Sequence, residues 1–171
     1  MVLPAPTEPS PAIRIEAAGA ADFRRIAELT AGVYRDDGYA DERYLAELRD
    51  VAGRAERAEL LVARTDDGGI VASVALVLRG DFGEVLTSAD EAGFRMLVVA
   101  PVARGSGIGE RMVRYCLDRA RAAGKRRMVI STDPRMTAAH RLYERLGFRR
   151  LPQRDWSPMT GVNLLVYALD L

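Results

Sequence analysis

The stretch LVVAPVARGSGIGERMV, residues 97–113, joins an apolar, β-branched run to an amphipathic helix through three glycines at alternate positions. A chain written this way must leave a buried strand, turn where Gly105, Gly107 and Gly109 allow, and enter a helix at about Gly107. Glycine lets the backbone approach a ligand with no Cβ in the way, so successive N–H groups can point inward. The helix that follows presents its own unbonded N–H groups and the positive end of its dipole. Both features favour negative charge, and a pyrophosphate is the natural guest. One glycine would suffice for a plain strand-to-helix turn; three of them, with Arg104 just ahead, indicate an anion loop.

Two familiar phosphate loops do not fit. A P-loop carries Lys and then Ser or Thr after its last glycine, where this chain has Glu110 and Arg111. The dinucleotide fingerprint spaces its glycines G-x-G-x-x-G, whereas Gly105, Gly107 and Gly109 are spaced G-x-G-x-G.

The rest of the chain reads as mixed α/β. IRIE alternates as a short strand, and from Asp22, a candidate N-cap, Phe23, Ile26, Ala27, Thr30, Val33 and Tyr34 recur at helical spacing. A second helix follows Asp41, with Tyr44, Leu45, Leu48, Val51 and Ala52 on one face. ELLVAR, the turn TDDGG and IVASVALVL predict a β-hairpin. Residues 79–92 lack periodicity and read as a loop ahead of the buried strand GFRMLVVA, which Pro101 stops. Beyond the glycines, Ile108, Met112, Val113, Cys116, Leu117 and Ala120 form the apolar stripe of a helix that Gly124 ends. RRMVIS is the next strand. Asp133 and Pro134 then predict the start of a helix carrying Ala139, Leu142, Tyr143 and Leu146 up to Gly147, and NLLVYALDL is a last strand.

With 171 residues, 49% of them hydrophobic, the chain can bury one core, and a single domain is expected over residues 12–171. Half of its eight prolines (Pro4, Pro6, Pro9 and Pro11) fall in residues 1–11, which read as a disordered tail without the basic and apolar regions of a secretion signal. No apolar run reaches the roughly 20 residues that span a bilayer, and the lone Cys116 has no partner for an internal disulfide, so a cytoplasmic protein is expected. The net charge of +1 hides a division: residues 1–94 hold ten arginines against eighteen carboxylates, and residues 95–171 hold fifteen basic against six acidic side chains. Nucleic acid is not an expected partner, because aromatics are sparse in the basic part and its charges are spread along helix faces.

The strand MLVVAP, the loop ARGSGIG and the helix behind them resemble the acetyl-CoA-binding motif of the GCN5-related N-acetyltransferases. In that motif Arg or Gln is followed, after two intervening residues, by Gly, any residue, and Gly or Ala; Arg104, Gly107 and Gly109 stand at those positions. AAHRLYERLGF resembles the second signature of the same family, with Ala139, Leu142, Tyr143, Gly147 and Phe148 in register. The resemblance spans residues 94–150. It implies a mixed α/β fold: a mostly antiparallel, twisted central sheet of six to seven strands flanked by about four helices, with a splayed strand pair at the cofactor site. The implied function is transfer of an acetyl group from acetyl-CoA to a primary amine of a small molecule or peptide, by direct attack in a ternary complex and without a metal. The alternative is a non-catalytic CoA-binding or sensor protein on the same fold.

In this family the cofactor's pantetheine adds to the splayed strand as a further strand. By resemblance its bonds fall to Leu97, Val98 and Val99, with the N–H of Val98 or Val99 facing the thioester oxygen. The pyrophosphate falls to Arg104, Gly105, Ser106, Gly107, Ile108 and Gly109. A backbone N–H aimed where negative charge develops is worth roughly 3 kcal/mol. The amine attacks directly, so the reaction asks for a base and an acid rather than a nucleophilic side chain. Tyr143 matches the family's acid and lies beside the cofactor in that reading. For the base, Glu91 ahead of the strand, Glu84 further back, or a relay of water all stand open. His140, the only histidine, is expected on the exposed side of its helix, and Met136 stands where many relatives carry an Asn that reaches the pantetheine arm. The acceptor is expected beside the first two helices. There YRDDGYADERY sets Asp36, Asp37 and Asp41 among three tyrosines, a composition that suits a cationic amine or simply a polar turn and helix cap. Trp156 either walls that pocket or anchors its own loop. The family's frequent dimerisation admits a homodimer.

Overall fold

Alternating and continuous apolar runs give the chain a twisted sheet between two helical layers. The computed structural model describes residues 12–80, 82 and 84–171, so the tail expected over residues 1–11 lies outside the described residues. In chain order the elements are β1 (Ile13–Ala17), α1 (Phe23–Asp36), α2 (Glu42–Arg49), α3 (Val51–Ala55), β2 (Glu59–Thr65), β3 (Ile70–Val77), β4 (Glu91–Val99), α4 (Ile108–Ala122), β5 (Arg127–Thr132), α5 (Thr137–Arg145), β6 (Arg149–Arg150), β7 (Trp156–Met159) and β8 (Val162–Asp170). Short 3-10 turns occupy Ala20–Asp22, Pro101–Ala103 and Pro152–Arg154.

The sheet runs β1-β2-β3-β4-β5-β8-β6, with β7 paired beside β8. Every pairing is antiparallel except β4 with β5. The path of seven strands, mixed and mostly antiparallel, is the architecture expected from the resemblance. One face of the sheet buries Leu61, Val74, Leu76 and Phe94 against Met112, Cys116 and Tyr143 of α4 and α5. The other buries Val62, Ala75, Met96 and Val98 against Ile26, Leu45, Leu48 and Val51 of the first three helices. Gly124 and Gly147, at φ 73° and 96°, follow α4 and α5 in the left-handed conformation that ends a helix.

Several local expectations shift. Asp22 does not cap α1 with its side chain; it accepts the Gly19 N–H at 3.0 Å and pairs with Arg64 at 3.0 Å. The second helix breaks at Asp50, whose side chain takes the Gly53 N–H at 3.0 Å and starts α3 afresh. Asp133 accepts the Arg135 N–H at 2.8 Å, closing a side-chain turn that delays α5 until Thr137. The strand expected from Gly93 begins two residues earlier, at Glu91. Finally, Trp156–Met159, within a segment that reads as loop, pairs with β8 across a turn where Gly161 takes φ 85°.

Candidate active site

β4 pairs with β3 from Val77↔Gly93 to Ala72↔Val99, but with β5 only at Glu91↔Arg127 and Ala92↔Met128. Beyond Ala92 the two parallel strands separate and leave an edge of β4 open. A bulge accompanies the separation. Met96 has φ 57°, and the register slips between Ser73 and Ala75 so that Met96 and Leu97 together face Val74. A non-glycine residue at this φ is strained, and dense packing holds it: Met96 is 4% exposed and Val98 2%.

After the bulge the strand alternates normally. The Ala100 N–H donates to the Val71 carbonyl at 2.7 Å, so Ala100 and Val98 direct their backbone groups at β3. The backbone groups of Val99, and of Leu97 before it, therefore face the open edge.

The glycine loop follows at once. Gly105 and Gly107 take φ 77° and 80°, and a Cβ at either would meet nothing within 4 Å. The left-handed backbone favours glycine at both positions, and the space above them is clear. Gly107 is the N-cap of α4, a helix of 15 residues, and having no side chain it cannot cap the first N–H groups itself. Those donors and the helix dipole lie toward the end of the open edge, an arrangement whose electrostatics favour negative charge. Gly109 sits where a Cβ would lie 3.6 Å from both Leu142 and Val99, packing the helix start between β4 and α5. The Ser106 hydroxyl donates to the Ala103 carbonyl and braces the loop, and Ile108 is buried beneath it at 4% exposure. Arg104 donates from Nη2 to Asp37 at 2.8 Å, from Nη1 to the same carboxylate at 3.5 Å, and from Nε to the Val99 carbonyl at 3.4 Å.

Tyr143 projects from α5 into the core, with its ring 5.9 Å from Phe94, 5.6 Å from Phe148 and 6.2 Å from Tyr167. Burial, helped by the nearby Cys116, pushes its hydroxyl pKa well above the ordinary tyrosine range. Burial likewise pushes the Cys116 thiol up to about 12.

The candidate carboxylates are each engaged within the chain. Glu91 is 7% exposed at the first residue of β4, held by Arg154 at 2.7 and 3.0 Å and by the Thr87 N–H at 2.9 Å. The Arg154 guanidinium keeps its pKa low despite the opposing effect of burial. At roughly 3.3 Å rise per residue, Glu91 is about 23 Å along the strand from Val98. Glu84, at φ 58°, lies 3.6 Å from Arg95. Asp36 pairs with Arg35, Asp37 with Arg104, and Asp41 caps α2 by accepting the Tyr44 N–H at 2.9 Å. Nearby, Tyr34 meets Tyr39 and Tyr44 edge-on at 6.4 and 5.8 Å.

His140 is half-buried rather than exposed: its Nε2 lies 3.3 Å from the Thr132 hydroxyl and 3.1 Å from the Asp133 carbonyl, and its ring is 5.5 Å from Tyr167. Met136, the N-cap of α5, receives the Thr132 hydroxyl at its sulfur, 3.8 Å away. Trp156 packs against Val85, Val129 and Val166, as an anchor would. Two residues of this region escape the sequence reading. Arg95 is an arginine inside an otherwise apolar strand, a visible signal, and it lies over the Phe82 ring at 4.5 Å. Arg135 bonds the Gly38 carbonyl at 2.9 Å, a partner 97 residues away that its local Asp-Pro turn does not mark. Among the described residues, no group of three or more His, Cys, Asp or Glu side chains could hold a metal ion, and no helix is long and apolar enough to cross a membrane.

Comparison with known proteins gives a family match over residues 21–148, to the acetyltransferase (GNAT) family. No curated protein matches the chain. Among solved structures, a GNAT-family acetyltransferase from Staphylococcus aureus Mu50 superposes with TM-score 0.76 at 15% identity, over 94% of this chain and 99% of that one. A GCN5-related N-acetyltransferase from Kribbella flavida gives TM-score 0.71 at 25% identity, over 93% and 98%. YncA from Salmonella typhimurium, a structure with acetyl-CoA as its cofactor, gives 0.64 at 23% identity, over 94% of each chain.

Proposed function

The chain belongs to the GNAT family of acetyltransferases, and we propose that it moves an acetyl group from acetyl-CoA to a primary amine of a small molecule or peptide, by direct attack in a ternary complex. One observation carries this reading: the edge of β4 that β5 leaves open is followed, through a 3-10 turn and the glycine loop, by the N-terminus of α4, whose N-cap is a glycine. The donor set fits the group, since a pantetheine arm needs strand-like backbone partners and a pyrophosphate needs clustered N–H groups. Bound there, acetyl-CoA supplies the acyl group as a thioester.

In this reading Leu97 and Val99 bond the pantetheine, and Val99 rather than Val98 directs its N–H at the thioester oxygen, because the Val98 groups are turned to β3. Arg104, Gly105, Ser106, Gly107, Ile108 and Gly109 surround the pyrophosphate. Tyr143 gives a proton to the departing thiolate; its burial keeps the hydroxyl protonated until that step. The amine's proton leaves through water. Glu91 has no part in that transfer, since Arg154 holds it as a stable anion far along the strand. The acceptor enters beside Tyr34, Tyr39 and Tyr44, and it need not be cationic, because Asp36 pairs with Arg35 and Asp41 caps α2.

Titration calorimetry with acetyl-CoA, followed by thiol release over a panel of primary amines, tests the proposal. Saturable binding and release with one or more amines is the expected result. Binding without release from any amine would favour a CoA-binding protein without turnover, and no binding would end the acetyl-CoA reading.

A further inference from the structure

We propose that Arg104 and Asp37 form a displaceable plug on the cofactor site, so that acetyl-CoA binds only by exchanging Asp37 for its pyrophosphate. This rests on the reading of the glycine loop given above. Arg104 has three donors directed at groups of the chain: two at the Asp37 carboxylate, at 2.8 and 3.5 Å, and Nε at the Val99 carbonyl, at 3.4 Å. That carbonyl lies on the open edge of β4, where a pantetheine amide would donate. The guanidinium thus covers a backbone group the cofactor needs while its own charge is spent on a carboxylate.

The arrangement is suited to exchange. Asp37 is the C-cap of α1, where the negative end of the helix dipole disfavours a carboxylate and creates a demand for a cation. Arg104 meets that demand, but at the surface: the two side chains are 45% and 31% exposed, so the pair is weakly held. A pyrophosphate carries more negative charge than one carboxylate and is met by the α4 N–H groups as well. When it takes the guanidinium, the Val99 carbonyl is bared and Asp37 loses its counter-ion. The α1–α2 loop keeps a second tether, because Arg135 still bonds the Gly38 carbonyl at 2.9 Å and lies over the Tyr39 ring at 5.3 Å. Asp37 is therefore a competitor of the cofactor, and removing its charge should tighten binding.

The experiment is acetyl-CoA titration of the wild type, Asp37→Asn, Arg104→Gln and the double variant. Asp37→Asn is expected to bind about threefold tighter, the reach of a half-exposed ion pair, and the gain is expected to vanish in the Arg104→Gln background. Unchanged or weaker binding by Asp37→Asn would overturn the plug, as would an equal gain in the absence of Arg104. A wild type that binds no acetyl-CoA would instead remove the cofactor reading itself, so the two failures are separable.

Discussion

Arg154 donates to both oxygens of the Glu91 carboxylate, at 2.7 and 3.0 Å, and so ties the 3-10 turn before β7 to the first residue of β4. It does so at the end of the strand where β4 and β5 still pair, which makes the ion pair a clamp at the narrow end of the splay. Arg154→Ala leaves a carboxylate that is 7% exposed without its cation, and a loss of about 3 kcal/mol in denaturant unfolding is expected.

The same pair sets a pH dependence. Glu91 has a folded-state pKa below its unfolded value, so its contribution is complete above the unfolded value of about 4.3 and is lost as pH falls through the lower folded value. The stability gap between wild type and Glu91→Gln should therefore be wide near neutral pH and narrow in strong acid, while turnover of the Gln variant at neutral pH stays close to wild type. A large loss of turnover with the fold intact would return Glu91 to the chemistry.

Much of the architecture is legible in residue pattern because its determinants are local. The stripe from Ile108 to Ala120 and the positive-φ glycines 107, 124 and 147 mark helix boundaries within a few residues of themselves. The features that escape are long-range. Glu91 looks like a free carboxylate at the mouth of a strand until Arg154, 63 residues later, folds back on it. Arg104 looks like an unengaged cation until Asp37, 67 residues earlier, meets it. The bulge at Met96 is equally hidden, since nothing in GFRMLVV names the residue that takes φ 57°.

Cys116 is fully buried and its thiol is pushed up to about 12, so almost no thiolate forms near neutral pH. The native protein should leave an aromatic disulfide reagent unreacted, and denaturation should release the single thiol in the sequence. Rapid reaction of the native protein would mean that α4 opens locally.

Gly107 allows the charge of the loop to be tested apart from its shape. Asn and Asp both tolerate the left-handed backbone that Gly107 adopts at φ 80°, and a Cβ there meets nothing within 4 Å. Gly107→Asn should keep most of the acetyl-CoA affinity, whereas Gly107→Asp, differing only in charge, should lose at least tenfold more by calorimetry. Equal affinities would show that no phosphate approaches this N-terminus.

Tyr143→Phe removes one hydroxyl and keeps the ring that touches Phe94, Phe148 and Tyr167. If the hydroxyl protonates the departing thiolate, kcat should fall by roughly 10²-fold or more while acetyl-CoA affinity changes little. Because burial raises its pKa, the wild type should show no basic limb from this group below about pH 10. A core role alone predicts that both kcat and the thermal midpoint are preserved, because Phe keeps the packed ring. Measuring kcat, binding and melting on the same variant distinguishes a proton donor from a packing residue, because the two roles reside in different atoms of one side chain.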